Sequence, residues 1–192
     1  MKVTSPLPCS ISIAAETGVV FEATAHYRKR LSDLRGLYLD ADALEQRIRE
    51  EDDPVCYETY SFNNSQSEGD LFFGTTIIYP GKVGVANHLT RGHYHRKRHH
   101  AETYQALSGN GLVLFERQEG QGQTERAELK PGSVTYIPPF WAHRSINTSP
   151  VPLIFLWTCA VDAGHDYESL AGRGMSQVVV ERDGTPHVEN RP

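Results

Sequence analysis

The stretch Arg91–Tyr104, "RGHYHRKRHHAETY", gathers four of the chain's nine histidines with a glutamate and two tyrosines. His93 and His95 are one residue apart. On a strand, both side chains leave the same face, about 7 Å apart at their Cα atoms, so two imidazoles can converge on one ion. Gly92, just before them, relieves crowding and allows close backbone approach. Glu102 comes seven residues after His95. That gap fits a loop and an antiparallel return beside the first strand. The return would turn the carboxylate toward the imidazoles, with Tyr104 on the same face. A fourth donor, His143, follows the Pro138–Pro139 turn in "GSVTYIPPFWAHRSIN", at the start of an expected strand. Three imidazoles and one carboxylate suit a borderline divalent ion such as Fe, Mn, Ni or Zn. An all-oxygen shell would suit Mg or Ca instead.

Arg91, Arg96, Lys97, Arg98, His99 and His100 read as a solvated loop between two strands. Adjacent His99 and His100 would face opposite ways on a strand, so at most one could join the site. A nucleic-acid patch would want a larger footprint in a basic chain, whereas the net charge here is −5. That balance gives no pull toward nucleic acid or an anionic membrane.

These residues need a scaffold. At 192 residues the chain is long enough to bury one substantial core. "SDLRGLYLDADALEQRIREEDDP" carries a helical signal: Asp40 or Asp42 can cap it, and Leu44 and Ile48 share a face. The acidic run 50–53 and Pro54 end it, and that acidic end opposes the helix dipole. After Pro54 come short β-prone runs: "VCYETYSF", "DLFFGTTIIY", "KVGVANHLT", "ETYQALSG", "GLVLFERQ", "RAELK", "SVTYI", "HRSINT", "VPLIFLWTCAV" and "MSQVVVER". Breaks at 79–82, 108–111, 119–123 and 130–133 separate several of them. Many short strands at this spacing predict an all-β sandwich or barrel. "RDGTP" reads as a tight turn leading to a polar tail, "VENRP", frayed or pinned on a neighbour.

The longest apolar run is too short to cross a bilayer as a helix, and the N-terminal stretch lacks the apolar core of a secretory leader. Cys9, Cys56 and Cys159 are far apart and odd in number, which predicts no disulfide framework and fits a reducing, cytoplasmic setting. Cys159, in an apolar strand, reads as a core thiol. Trp141 and Trp157 read as packing residues, and Asp162 and Asp166 as turn formers.

The histidine motifs resemble those of cupins. G-H-Y-H, six residues, Glu102, six residues and Gly109 resemble the first cupin motif, with a longer spacer before the glutamate. Gly132, five residues, Pro138, then His143, three residues and Asn147 resemble the second. Phe140 stands where that motif usually has glycine. The match narrows to the cupin-type glucose-6-phosphate isomerase family through "TRGHYH", "AETY", "PGSVTYIPPFWAHRSIN" and "DAGHDY", with "RLSDLRG", "EDDPVCYETY" and "GTTIIYPGKVG" also similar and in matching order.

The resemblance implies an all-β cupin double-stranded β-helix, or jelly-roll barrel. A single domain would span 1–192, with an N-terminal extension 1–53, including one or more short helices, packed on a barrel 54–185. One divalent metal per subunit would be held by His93, His95, Glu102 and His143, with Fe2+ the first choice and Mn2+, Ni2+ or Zn2+ the alternatives. Thr76, Thr90 and Gly92 would bind the sugar phosphate through hydroxyls and backbone N–H groups rather than through an arginine clamp, while Thr75 faces away. Tyr104, His165 and Tyr167 would line the same cavity, Phe155 would supply an apolar wall, and Tyr57 would join them. The implied reaction interconverts glucose 6-phosphate and fructose 6-phosphate through a cis-enediolate, with Glu102 as base and Tyr104 and His165 assisting. For the basic residues of 91–100, the lesser alternative to a solvated loop is electrostatic attraction of an anionic sugar phosphate toward the cavity mouth. The family also implies a cytoplasmic homodimer. It often has tyrosine in place of Phe140 and an aromatic near Cys159. Two other classes share the metal shell: an iron-dependent cupin dioxygenase and a non-catalytic sugar-binding cupin. "DAGHDY", Thr76 and Thr90 favour the isomerase.

Overall fold

The computed structural model describes residues 7–117, 122–172 and 174–192. In chain order the elements are β1 (Ala25–Arg30), a 3-10 turn (Leu31–Leu34), α1 (Ala41–Glu50), β2 (Val55–Phe62), β3 (Leu71–Ile78), β4 (Lys82–Val83), β5 (Ala86–Asn87), β6 (Tyr94–His95), β7 (Glu102–Ser108), β8 (Gly111–Arg117), β9 (Thr124–Leu129), β10 (Val134–Ile137), β11 (Trp141–Asn147), β12 (Leu153–Ala160), β13 (His165–Asp166), a second 3-10 turn (Glu168–Leu170), β14 (Gln177–Arg182) and β15 (Thr185–Asn190). The turn expected at 119–123 lies mostly outside the described residues.

The strands pair antiparallel. A six-stranded sheet runs β1-β2-β3-β12-β7-β10 and a three-stranded sheet runs β11-β8-β9. Backbone bridges at Leu89–Ile146 and His93–His143 extend the smaller sheet at its β11 edge. The inner faces of the two sheets form the core, with Val113 and Leu129 on one side and Ile78 and Leu153 on the other, all fully buried. This is the all-β architecture expected from the strand pattern, and its two facing antiparallel sheets match the double-stranded β-helix that the cupin resemblance implied.

The Asp40 side chain caps α1, accepting from the Ala43 N–H at 2.8 Å. Leu44 is buried and Ile48 packs beside it. Burying such side chains contributes about 2 kcal/mol each. The helix stops at Glu50, and Asp52 and Asp53 take left-handed φ of 55° and 50°. Its last turn carries Arg47 and Arg49, so the expected conflict with the dipole is offset.

One reading of the strand runs needs correcting. "KVGVANHLT" is not one strand. Gly84, at φ +56°, turns it into the β4–β5 hairpin. Of the two expectations for "VENRP", pinning on a neighbour holds and fraying does not. Asp183 and Gly184 both take positive φ and close a β14–β15 hairpin in register from Arg182–Thr185 to Gln177–Asn190, the geometry that Asp-Gly favours.

Candidate active site

The four expected donors meet. The ligand-type atoms of His93, His95, Glu102 and His143 all lie within 4.8 Å of one another. Three segments bring them there. His93 and His143 are joined through their backbones, His93 N–H to His143 O at 3.2 Å and His143 N–H to His93 O at 3.0 Å. His95 is in β6, and its Nδ1 donates to the His100 carbonyl at 3.0 Å, which aims Nε2 inward. Glu102 opens β7, in the opposite sheet. The antiparallel return beside β6 is therefore not made by β7. Instead β13 pairs with β6, with His165 opposite His95, and β7 lies between β12 and β10.

Burial alone would raise the Glu102 pKa, but His143 and His95 outweigh it and bring it down to about 2. Nε2 of His95 and Nε2 of His143 each stand 3.1 Å from Glu102 Oε2. Burial also opposes protonation of His95, yet its partner Glu102 raises its pKa overall. His93 is pushed well down, first by burial and then by the neighbouring His143, His165 and His95. Its Nε2 is buried without a hydrogen-bond partner among the described residues. A neutral, partly buried imidazole with a free, buried nitrogen, facing two more imidazoles and an ionised carboxylate, fits a divalent metal of borderline softness.

The cluster lies in a cavity of about 170 Å³ whose walls include Thr76, Thr90, Gly92, Tyr104, Phe155, His165, Tyr167 and Tyr57. Every residue expected at the site is thus in this cavity or in the cluster within it. Thr75 points the other way and donates to the Gly18 carbonyl. Burial holds Tyr104 far above its ordinary pKa and lowers His165, so at neutral pH the phenol can donate and the imidazole is uncharged. Gly92 has φ +74°, and a Cβ there would stand 3.1 Å from Arg144 Nε.

Tyr27, Thr59, Ser61, Phe72, Arg91, Trp157 and Cys159 also line the cavity. Trp157 does pack, its ring 4.9 Å from that of Phe72, but both it and Cys159 also face the site. Burial raises the Cys159 thiol pKa, so the thiol stays neutral. Period-two alternation could have found several of these residues: Tyr57, Thr59 and Ser61 share one face of β2, as Phe155, Trp157 and Cys159 do on β12. Tyr27 reaches the cavity by register alone, opposite Thr59.

The basic turn is not simply solvated. Arg98 stands 4.0 Å over the Tyr94 ring and donates to Asp166 and Ser169. Its carbonyl accepts from the Phe140 N–H at 2.7 Å. Lys97 pairs with Asp162. His99 is exposed, and neither its ring nor that of His100 lines the cavity.

The glucose-6-phosphate isomerase (GPI) family model matches residues 28–191. The glucose-6-phosphate isomerase of Thermococcus litoralis is 44% identical over 185 residues, covering 96% of this chain and 95% of the relative. The chain belongs to the glucose-6-phosphate isomerase family. The family's Pyrococcus abyssi isomerase is also 44% identical, over 96% of both chains. The Sinorhizobium medicae isomerase is 38% identical, over 95% of this chain and 84% of its own. A solved structure of Bacillus subtilis oxalate decarboxylase aligns with 57% of this chain and 27% of its own, at TM-score 0.45 and 20% identity. Membership of the isomerase family decides among the three classes that the metal shell left open.

Proposed function

We propose that the cavity is the active site of an aldose–ketose isomerase interconverting glucose 6-phosphate and fructose 6-phosphate, with a divalent metal held by His93, His95, Glu102 and His143. The observation that carries this reading is the buried cluster of three imidazoles and one carboxylate in a cavity lined by hydroxyls. The metal would supply positive charge to the oxygens of a cis-enediolate. Iron(II) is the first candidate, because the donor set suits a borderline ion; Mn2+, Ni2+ and Zn2+ suit it as well.

The chain's own groups divide the remaining work. Glu102, ionised at neutral pH, carries the proton between C1 and C2. Tyr104, with its phenol protonated, donates to a sugar oxygen. Uncharged His165 exchanges a proton with the ring oxygen or a sugar hydroxyl. Thr76 and Thr90, with the backbone at Gly92, surround the phosphate with donors. Tyr167 and Tyr57 line the sugar's path, and Phe155 walls it and excludes water.

In the same reading the chain is one cupin domain, with residues 1–53 packed on a barrel 54–185, working as a cytoplasmic homodimer. The free Cys56 and Cys159 suit a reducing compartment. Exposed Val134 and Tyr136 on edge strand β10 suit a subunit contact. No helix among the described residues is long and apolar enough to cross a membrane.

The test is fructose 6-phosphate turnover in deuterated water, with glucose 6-phosphate read by a coupled dehydrogenase. Turnover with deuterium entering C1 or C2 is expected. Turnover without deuterium would remove Glu102 from its role as base, and no turnover with any of the four metals would remove the isomerase reading.

A further inference from the structure

Substrate capture poses an electrostatic difficulty. The chain carries a net charge of −5, and a divalent ion on the four-donor cluster would put its positive charge on the sugar oxygens rather than on the phosphate. A sugar phosphate brings about two further negative charges at neutral pH. The hydroxyl donors on the walls, such as Thr59, Thr76 and Thr90, are neutral. Arg91 is the one arginine or lysine among the described residues that line the cavity.

Its setting differs from that of its neighbours. Lys97 and Arg98 are neutralised by Asp162 and Asp166. Arg91 makes no ion pair with a described carboxylate. Its guanidinium carbon stands 4.7 Å over the Tyr167 ring, a contact that orients the group and leaves its N–H donors open. The backbone beneath is fixed, since the Arg91 carbonyl accepts from Arg144 at 2.8 Å. Arg91 also borders a second cavity of about 260 Å³, which shares Gly92 and Tyr167 with the first. The side chain therefore stands on the wall between two open spaces, flanked in sequence by Thr90 and Gly92.

We infer that Arg91 captures the phosphate dianion of the substrate at the cavity mouth, serving binding rather than bond-making. The inference rests on the isomerase reading. A guanidinium can add paired, charge-assisted hydrogen bonds to those of the neutral donors, and its field raises the encounter rate in a salt-dependent way.

The test compares metal-loaded wild type with Arg91→Gln, Arg91→Lys and, as a control on exposed β9, Arg126→Gln. Initial rates on fructose 6-phosphate are measured over a range of ionic strength, with inorganic phosphate as competitive inhibitor. In Arg91→Gln, KM and the phosphate Ki should rise together by about tenfold, with kcat held within about threefold, as loss of a charge-assisted contact implies. Its rate should also depend less on salt. Arg91→Lys should recover the salt dependence, and Arg126→Gln should match wild type. KM and Ki within about twofold of wild type in Arg91→Gln would overturn the inference. So would a fall in kcat at unchanged KM. Inactive wild type would instead count against the isomerase reading. Calorimetric binding of inorganic phosphate to wild type and Arg91→Gln would then still decide the role of Arg91, with equal affinities overturning it.

Discussion

The guanidinium of Arg98 donates to Asp166 at 2.6 Å, joining the turn after β6 to the segment that carries His165 and Tyr167. It also lies 4.0 Å over Tyr94, between His93 and His95. One side chain therefore braces two of the segments that form the cavity. Arg98→Gln and Asp166→Asn should each cost about 1–3 kcal/mol, because each side chain is only about a fifth exposed and the bond is charge-assisted. Urea melts of the two single variants and the double variant check this. The double variant should lose little more than either single one. Fully additive losses would mean that the pair does not act as a unit.

Glu102→Gln should lower kcat by about 10²–10⁴-fold, the range for loss of a positioned general base. His99→Ala and His100→Ala should stay near wild type. The His100 group that holds His95 is its backbone carbonyl, which alanine keeps. Steady-state kinetics with metal content measured in parallel checks this. Loss of metal from either alanine variant would contradict the ligand assignment.

Phe140 takes φ +72° in the turn before β11, a left-handed conformation that disfavours a side chain. Its ring is 45% exposed, so little burial is at stake. Phe140→Gly should raise stability by about 1 kcal/mol through relief of that strain. A urea midpoint below that of wild type would show that the aromatic ring matters more than the backbone.

His88 gives a pH dependence of stability away from the metal cluster. Burial, helped by the adjacent Arg47, lowers its pKa to about 4. Nε2 faces Arg47 at 2.9 Å and Nδ1 faces the Tyr79 carbonyl at 3.1 Å, an arrangement that suits neutral imidazole. The unfolded chain takes up this proton near pH 6.5, before the folded one does. The stability contribution is thus complete above pH 6.5 and is lost as pH falls toward 4, by up to roughly 3 kcal/mol. Urea melts between pH 7 and 4 should show a shallower decline for His88→Asn than for wild type. Parallel declines would contradict this reading.

The site was legible in the sequence because its donors sit at spacings that strand geometry explains. His93 and His95 share a side, and His143 follows a proline turn. What stayed hidden depends on long-range register. Nothing near Tyr27 announces that it lies opposite Thr59. Nothing near Glu102 says that it arrives from the opposing sheet while β13 fills the place beside β6. Arg98 looked like solvent-facing charge because its partners, Asp166 and Ser169, lie about 70 residues away. The C-terminal hairpin was half legible: the turn at Asp183-Gly184 announced itself, but the exposed, polar residues of β15 left open whether the tail after it was frayed or paired.

The most direct test of the metal-centred account is to titrate metal-free protein with a divalent ion while following conversion of fructose 6-phosphate. Activity should be absent at the start, rise in proportion to added metal and level off at one ion per chain. Full activity in protein shown by elemental analysis to hold no metal would contradict it.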